Sequence, residues 1–461
     1  MLSERHTTAS SPGLLSIANN DIVKPNQVTL IGSPLQSPIG GAINTGLMIA
    51  SGNALAKYWL KFVVVTPNQL TAAALVVSYW LDAGTVNPGI WITVFMIVII
   101  GVNYWGTRFM GEYEFILSSV KISVVLGLMV LSLVLALGGG PDHDRKGFRY
   151  WETPGAFAGD NTALGRLRAI CRTMPSATFA YLGSELIGIS ILHTRNTRKT
   201  ALHATKLTFY RILVVNIVTV TFIGMLVPYD AKELEFARVK SGPSAYAGDG
   251  QHTASSAAAF VVAVQMAHIA VIPHILNTCF LLFILSAANH SLCMATRTLY
   301  GLSLGQNAFA FLSYVDRRGT PIYSLLLCSA LASLAYLNIH EDSGILFNHF
   351  VNLVTMFSIL TWISILVVHL VFRKAKATAE ASEALAFRAP FGVVGSWAAL
   401  GFCIFATVIR AFDTVDGDGD GEFDYKAIIT SYIGIPLYLA LIMGHKLVTR
   451  HRKAQQSGQV S

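Results

Sequence analysis

Residues 40–47 (GGAINTGL) can bind an anion inside an apolar segment of the chain. Their glycines permit an unwound backbone, and such a break survives in lipid only where its peptide groups meet a cavity or a ligand. Freed N–H groups favour a carboxylate. The candidate ligand-binding residues are Gly41, Ile43, Asn44, Thr45 and Gly46. Close packing of helices would explain the same glycines equally well.

Residues 179–185 (FAYLGSE) form a second candidate break. A carboxylate within an apolar run is costly and is by default functional, so Glu185 is a candidate proton acceptor. A protonated Glu185 that ties two helices together is the alternative. The ligand-binding candidates here are Phe179, Ala180, Tyr181, Gly183 and Ser184. The two aromatic rings would wall a pocket, or simply pack.

Lys121 lies eight residues after Tyr113, about 12 Å along a helix. At this depth it needs a partner or must lose its proton, unless its side chain reaches the inner headgroups. Further upstream, Pro67 is followed by Asn68 and by Gln69, a further ligand-binding candidate. These amides hydrogen-bond a ligand or satisfy the carbonyl groups that Pro67 frees.

The composition indicates that these residues are positioned by the helices of a membrane protein. Of 461 residues, 53% are hydrophobic and 13% are charged, whereas soluble domains carry about 25% charged residues. We therefore expect an all-α polytopic membrane protein and exclude a secreted disulfide scaffold and an ordinary soluble enzyme. Apolar runs of helical length occur at 62–81, 88–106, 113–138, 173–192, 209–228, 272–296, 321–338, 345–372, 392–411 and 428–445, with a weaker one at 39–56. Residues 254–272 predict a surface helix outside the membrane.

These runs predict one transmembrane domain at 39–445 between a cytoplasmic N-terminal tail at 1–38 and a cytoplasmic C-terminal tail at 446–461. The net charge of +8 comes from Lys and Arg placed mostly between the runs. This positive-inside pattern places the C-terminus in the cytoplasm and argues against nucleic acid as a partner. The segment 139–171 is basic and goes against the rule, although its length weakens its influence.

No residue pattern indicates an enzyme, a metal site or a cofactor. The five cysteines contain no CxxC pair and predict free thiols. The histidines lack paired zinc spacing, and no nucleophile, base and acid form a recognisable set. Membrane lipid is the one partner that the composition itself implies.

Several strings resemble the fungal amino acid permeases of the amino acid–polyamine–organocation superfamily. They are NPGIWITVF (87–95), GEYEFILSSVK (111–121), RYWETPGAFAGD (149–160), GSELIG (183–188), RTLYGL (297–302), RRGTPIY (317–323), FVNLVTMFSILTWISI (350–365), FRAP (387–390) and SYIGIPLYL (431–439). Two others, VVVTPNQLTAAALVVSYW (63–80) and LGGGPDHDRKGFRYW (137–151), look most like the dicarboxylic amino acid permease branch. The resemblance implies two inverted five-helix repeats and proton-coupled uptake of amino acids across the plasma membrane.

The same resemblance implies roles for individual residues. Lys121 looks like the lysine that replaces the bound ion in sodium-independent members, with Ser286 and Asn289 as its neighbours. These residues and Glu185 are the proton-coupling candidates. Aspartate and glutamate as substrates rest on the resemblance alone, because no unpaired arginine within a span is present for a second carboxylate.

The first repeat departs from the family pattern. Ala56 runs directly into KYWLK (57–61), so the outer half of the first helix, the second helix and the start of the third are expected to be absent. About 10–11 spans result, and a helix of about 64 Å over 39–81 would need a kink or a re-entrant piece. The alternative function is a transport-incompetent permease acting as a sensor or assembly partner, or an incomplete gene model. The oligomeric state is left open.

Overall fold

The computed structural model describes residues 40–77, 79–80, 87–105, 107–141, 143–157, 162–182, 197–228, 258–269, 271–305, 308–339, 343–378, 391–415, 429, 432–440 and 443–444. Residues 1–45 and 46–461 form two units. The principal helices are α1 (Gly40–Val77), α2 (Pro88–Tyr104), α3 (Thr107–Ala136), α4 (Ala163–Ala180), α5 (Thr197–Leu226), α6 (Ala258–Met266), α7 (Ile272–Leu304), α8 (Ile322–Ala332), α9 (Ser343–Thr378) and α10 (Gly392–Val415). Within these described ranges the chain is helical and contains no strand.

Six described helices are long and apolar enough to cross a membrane. Their apolar segments are Trp59–Val77, Glu112–Ala136, Lys206–Leu226, Ile272–Leu304, His349–Lys374 and Gly392–Ile409. Two shorter apolar helical segments, Pro88–Tyr104 and Ile322–Leu337, accompany them. The prediction of an all-α polytopic membrane protein is confirmed, whereas the incomplete first repeat stays a prediction.

Local sequence signals set the start of two helices. Asn87 precedes α2, and its Oδ1 accepts a hydrogen bond from the Gly89 N–H at 2.8 Å. Pro88 follows at the first helical position, where its missing N–H costs nothing. Before α4, Thr162 Oγ1 accepts a hydrogen bond from the Gly165 N–H at 3.1 Å. Both residues satisfy a peptide N–H that the helix itself leaves without an acceptor.

The apolar part of α1 lies in the interior of the protein. Its side chains pack with those of α2, α7 and α8 in one hydrophobic cluster, which includes the fully buried Leu70, Ile92 and Leu292. The Trp59 indole N–H also points at Cys328 Sγ on α8, at 3.5 Å. Helix α1 is therefore surrounded by protein along this segment, and its polar side chains are shielded as well.

Helix α6 corrects the prediction of a surface helix at 254–272. Its residues Val261, Val262 and Val264 are at most 3% exposed, and they pack with α3, α5 and α7. Consecutive apolar residues cannot all face one side of a helix, so burial on several sides is the lower-energy arrangement. The helix itself is present, but it is buried within the bundle.

The backbone over residues 40–47 corrects a second prediction. Helix α1 is helical from Gly40 to Val77 and passes through Pro67, so the predicted unwinding at the glycines is wrong. A continuous helix satisfies its peptide groups internally, and glycine lowers the stability of a helix without forcing it to break. Helix α4 ends at Ala180, and the break predicted around 179–185 stays a prediction, because residues 183–185 lie outside the described residues.

Candidate functional site

A hydrogen-bonded chain of three side chains joins α3 to α7. The Lys121 ammonium donates to Ser286 Oγ at 2.6 Å. The Ser286 hydroxyl in turn faces both carboxylate oxygens of Glu114, at 3.0 and 3.1 Å. Lys121 Nζ also lies 3.6 Å from Glu114 Oε1, so the two charges form an ion pair. One serine therefore lies between a cation and an anion.

The helical repeat and the packing of α3 on α7 create this arrangement. Glu114 and Lys121 are seven residues apart on α3, about two turns, which places them on one face. Ser286 is fully buried on α7. The two charged side chains are about a quarter exposed, at 26% for Lys121 and 24% for Glu114. The pair is partly desolvated and its net charge is zero.

The charge and the contacts of this cluster change when it gains or loses a proton. It contains an ammonium, a hydroxyl and a carboxylate in hydrogen-bonding contact. A proton added to Glu114 or removed from Lys121 changes the net charge of the cluster by one, removes the ion pair within α3 and alters the hydrogen bonds to Ser286 on α7. In a partly desolvated site such a change is larger in energy than in water. The geometry thus couples protonation to the packing of two helices.

A pair of amide side chains lies beside this cluster. Asn289 is three residues after Ser286, about one turn along α7, and its partner is Asn103 on α2. Asn103 Nδ2 on α2 donates to Asn289 Oδ1 at 2.8 Å, and also to the Ile99 carbonyl at 2.8 Å. Asn289 Nδ2 is buried and has no hydrogen-bond partner in the described part of the chain. Asn289 thus joins α7 to α2, while its side-chain N–H groups have no acceptor among the described residues.

Other titratable groups surround the cluster. His290 on α7 lies within electrostatic range of Glu114, Lys121 and Arg297. Tyr113 on α3 is in electrostatic range of Glu114. His290 and Tyr113 are thus the titratable neighbours of the cluster on the two helices.

The structure brings together two of the predicted coupling residues. Lys121 contacts Ser286 as expected, and this contact argues against a lysine that reaches the headgroups. Asn289 pairs with Asn103 rather than with Lys121. The sequence reasoning missed Glu114, although an acid two turns before a lysine within an apolar run is a usable signal. Asn103 has no such signal, because its partner is on another helix.

The remaining predicted residues stay candidates. Phe179 is half-buried, whereas Ala180 and Tyr181 are exposed at the end of α4. Gly183, Ser184 and Glu185 lie outside the described residues. For Gly41, Ile43, Asn44, Thr45 and Gly46 only the helical backbone is described. Gln69 is half-buried beside the buried Asn68.

The apolar helices and their ionisable cluster define a polytopic membrane protein. Residues 28–457 match the Amino acid permease family. The chain belongs to this family, whose members share a polytopic helical transporter fold.

Several proteins similar to this chain are also named amino acid permeases. The chain is 42% identical over 396 residues to the dicarboxylic amino acid permease of Saccharomyces cerevisiae, covering 85% of this chain and 63% of the relative. It is 34% identical to an uncharacterized amino-acid permease of Schizosaccharomyces pombe, covering 87% of this chain and 74% of the relative. A general amino-acid permease of Saccharomyces cerevisiae is 31% identical, with coverages of 86% and 63%. The chain thus spans less than two thirds of the length of both Saccharomyces relatives.

Proposed function

We propose that this protein couples proton entry to the uptake of amino acids across the plasma membrane, with its C-terminus in the cytoplasm. Membership of the amino acid permease family supports transport rather than catalysis. Aspartate and glutamate are the first substrates to test, because the dicarboxylic permease of Saccharomyces cerevisiae is 42% identical. Protons and an amino acid are then the two transported species.

The observation that carries the proposal is the contact of Lys121, Ser286 and Glu114. Ionisable side chains within membrane-spanning helices are rare and mark ion pathways by default. Here the ammonium occupies a position between α3 and α7 and is held by the Ser286 hydroxyl at 2.6 Å. A fixed ammonium can replace a bound metal cation electrostatically, and unlike a metal ion it can give up a proton.

Coupling follows if protonation changes the relative stability of two arrangements of α3 and α7. A proton that binds more tightly to one arrangement shifts the equilibrium towards it. A substrate that prefers the same arrangement then binds with positive cooperativity, and the effect is reciprocal. The sequence candidates for binding the substrate stay Gln69, Phe179, Ala180, Tyr181, Gly183, Ser184 and Gly46 and, separately, Gly41, Ile43, Asn44 and Thr45.

Uptake of radiolabelled aspartate and glutamate in permease-deficient cells tests the proposal, at about pH 5 and about pH 7.5. We expect faster uptake at the lower pH because protons are a co-substrate. Lys121→Met and Glu114→Gln should abolish this difference, and Glu185→Gln is measured alongside. Lys206→Gln removes an exposed lysine of α5 and is the control for the loss of charge. Surface labelling shows that each variant reaches the membrane.

Two results would contradict the proposal. Wild-type protein at the cell surface without uptake of any amino acid would favour the transport-incompetent alternative. If uptake by both Lys121→Met and Glu114→Gln kept the pH dependence of the wild type, this cluster would not be the site that couples uptake to protons.

A further inference from the structure

The segment between α7 and α8, residues 308–321, is fixed to the ends of both helices and is called the α7–α8 loop. Ser303 Oγ on α7 donates to the Phe309 carbonyl at 2.8 Å, and Ser324 Oγ on α8 donates to the Leu312 carbonyl at 2.9 Å. Leu312 is fully buried in the cluster of α1, α2, α7 and α8. Both helices contain apolar segments of membrane type. The loop is therefore held in one shape at the point where the two helices leave the membrane.

Four aromatic side chains in and beside this loop form an exposed cluster. Phe309, Phe311 and Tyr314 belong to the loop and Tyr323 belongs to α8, and each is between 46% and 73% exposed. The rings of Phe309 and Phe311 stack with centroids 5.8 Å apart. Tyr323 contacts Phe311 at 6.1 Å and Tyr314 at 5.5 Å. Contiguous exposed apolar surface is unfavourable in water, whereas aromatic rings are enriched at the membrane interface. The aromatic cluster therefore suits the headgroup region of a lipid.

Two arginines lie at the tip of a tight turn within the same loop. The Asp316 carbonyl accepts a hydrogen bond from the Gly319 N–H at 2.8 Å, and the Asp316 N–H donates to the Thr320 carbonyl at 3.0 Å. Gly319 has a φ of 81°, a conformation that favours glycine. Arg317 and Arg318 are the two central residues of this turn, and both are exposed. Their side chains thus leave the protein from neighbouring points of one fixed backbone.

Tyr104 at the end of α2 holds one of these arginines. The Arg318 guanidinium carbon lies 5.2 Å from the centre of the Tyr104 ring, a cation–π contact. This contact uses the face of the guanidinium and leaves its N–H edge for oxygen ligands. Neither Arg317 nor Arg318 forms an ion pair with a carboxylate in the part of the chain that the structure describes. The turn therefore presents two positive charges that are complementary to an anion.

We propose that the α7–α8 loop binds the headgroup of an anionic phospholipid. Arg317 and Arg318 bind its phosphate and its additional negative group, and the aromatic cluster packs beside the upper part of its acyl chains. The proposed orientation places this loop in the cytoplasm, because four predicted apolar runs separate it from the C-terminus. Anionic lipids are concentrated in the cytoplasmic leaflet. Free phosphate would satisfy the arginines but not the rings. This lipid site goes beyond the proposed transport and does not depend on it.

Titration of lipid into the purified full chain in detergent tests this site, with the rise in melting temperature as the readout. The lipids are phosphatidylserine and phosphatidylcholine with the same acyl chains. Wild-type protein should bind phosphatidylserine at least about tenfold more tightly. Arg317→Gln/Arg318→Gln should lose this preference. Lys206→Gln/Arg211→Gln removes two charges from exposed positions of α5 and should keep it.

A second variant tests the aromatic cluster separately from the charges. Phe309→Ser/Phe311→Ser should weaken the binding of both lipids to a similar degree, because the rings contact the acyl chains that the two lipids share. The preference for phosphatidylserine should remain. Unchanged binding of both lipids would remove the rings from the site and overturn the assignment of a lipid. Inorganic phosphate is titrated in parallel as an anion without acyl chains.

Several results would overturn the inference. Wild-type protein that binds phosphatidylserine no more tightly than phosphatidylcholine does so, whether or not the variants fold. A folded Arg317→Gln/Arg318→Gln protein that keeps the preference does so as well. An equal loss in Lys206→Gln/Arg211→Gln would indicate attraction by surface charge in general. Inorganic phosphate that raises the melting temperature as much as phosphatidylserine would indicate a site for a free anion. Size-exclusion chromatography shows that each variant is folded, and amino acid uptake tests the proposed function independently.

Discussion

Lys121 on α3 donates a hydrogen bond of 2.6 Å to Ser286 on α7, across 165 positions of the chain. The same serine hydroxyl lies 3.0 Å from a carboxylate oxygen of Glu114. Ser286 thus holds the lysine and the glutamate in one hydrogen-bonded line. Removal of this hydroxyl should affect coupling while leaving both charges in place.

Ser286→Ala should lower the initial rate of uptake by about ten- to a hundredfold. Hydrogen bonds to charged groups are worth about 1.5–3 kcal/mol, and about 1.4 kcal/mol corresponds to a factor of ten. Uptake of labelled aspartate at equal surface expression gives the comparison. Ser291→Ala is the matched control, because Ser291 on the same helix donates to its own-helix carbonyl of Ala287 at 2.8 Å. Equal rates for the two variants would show that Ser286 does not organise the cluster.

Asn103→Leu should destabilise the protein by about 1–3 kcal/mol, the cost of leaving a buried acceptor unsatisfied. Asn103 Nδ2 supplies the hydrogen bond of 2.8 Å to Asn289 Oδ1, and Asn289 is 2% exposed. Thermal unfolding of purified protein in detergent measures the effect. The control Thr221→Val alters a hydroxyl that bonds its own-helix carbonyl of Ile217 and should change the stability by less than about 0.5 kcal/mol. Similar melting temperatures for both variants would contradict the assigned importance of the amide pair.

Gly434→Ala should destabilise the protein by about 1–3 kcal/mol through overpacking. A Cβ at this glycine would lie 2.9 Å from Met356 Cγ, and Met356 is 0% exposed. Gly401→Ala on α10 is the matched control, because a Cβ there would have no neighbour within 4 Å. Alanine should stabilise that helix by up to about 1 kcal/mol. Thermal unfolding in detergent should therefore shift in opposite directions, and a shift in the same direction would refute the packing at Met356.

The helices could be predicted from the sequence to a useful degree. The run at 88–106 became α2 (Pro88–Tyr104), and the run at 272–296 lies within α7 (Ile272–Leu304). Long apolar runs leave the chain few alternatives in lipid, because each peptide group must find an internal partner. The prediction failed at residues 40–47, where glycines permitted a break without requiring one, and at α6, where apolarity indicated a helix but not the depth of its burial.

The candidate site could be predicted only in part. Lys121 could be identified as a candidate from the sequence, because a lysine within an apolar run is exceptional whatever its neighbours in the structure are. The burial of Lys61 could not be predicted, because it depends on the packing of α1 against α2, α7 and α8. Of the two contacts of Ser286, the sequence predicted the one with Lys121 but not the one with Glu114. A hydroxyl on α7 is common, and its position opposite Glu114 is a property of two helices.

The sequence by itself determined the class of protein, the helical elements and the exceptional position of Lys121, since apolarity and helical spacing are local properties of the chain. The tertiary structure decided the line from Lys121 through Ser286 to Glu114, the pairing of Asn103 with Asn289 and the enclosure of Lys61. These contacts depend on how far each helix is rotated and displaced against its neighbours. That is set by the summed packing of many side chains, which no single stretch of sequence contains.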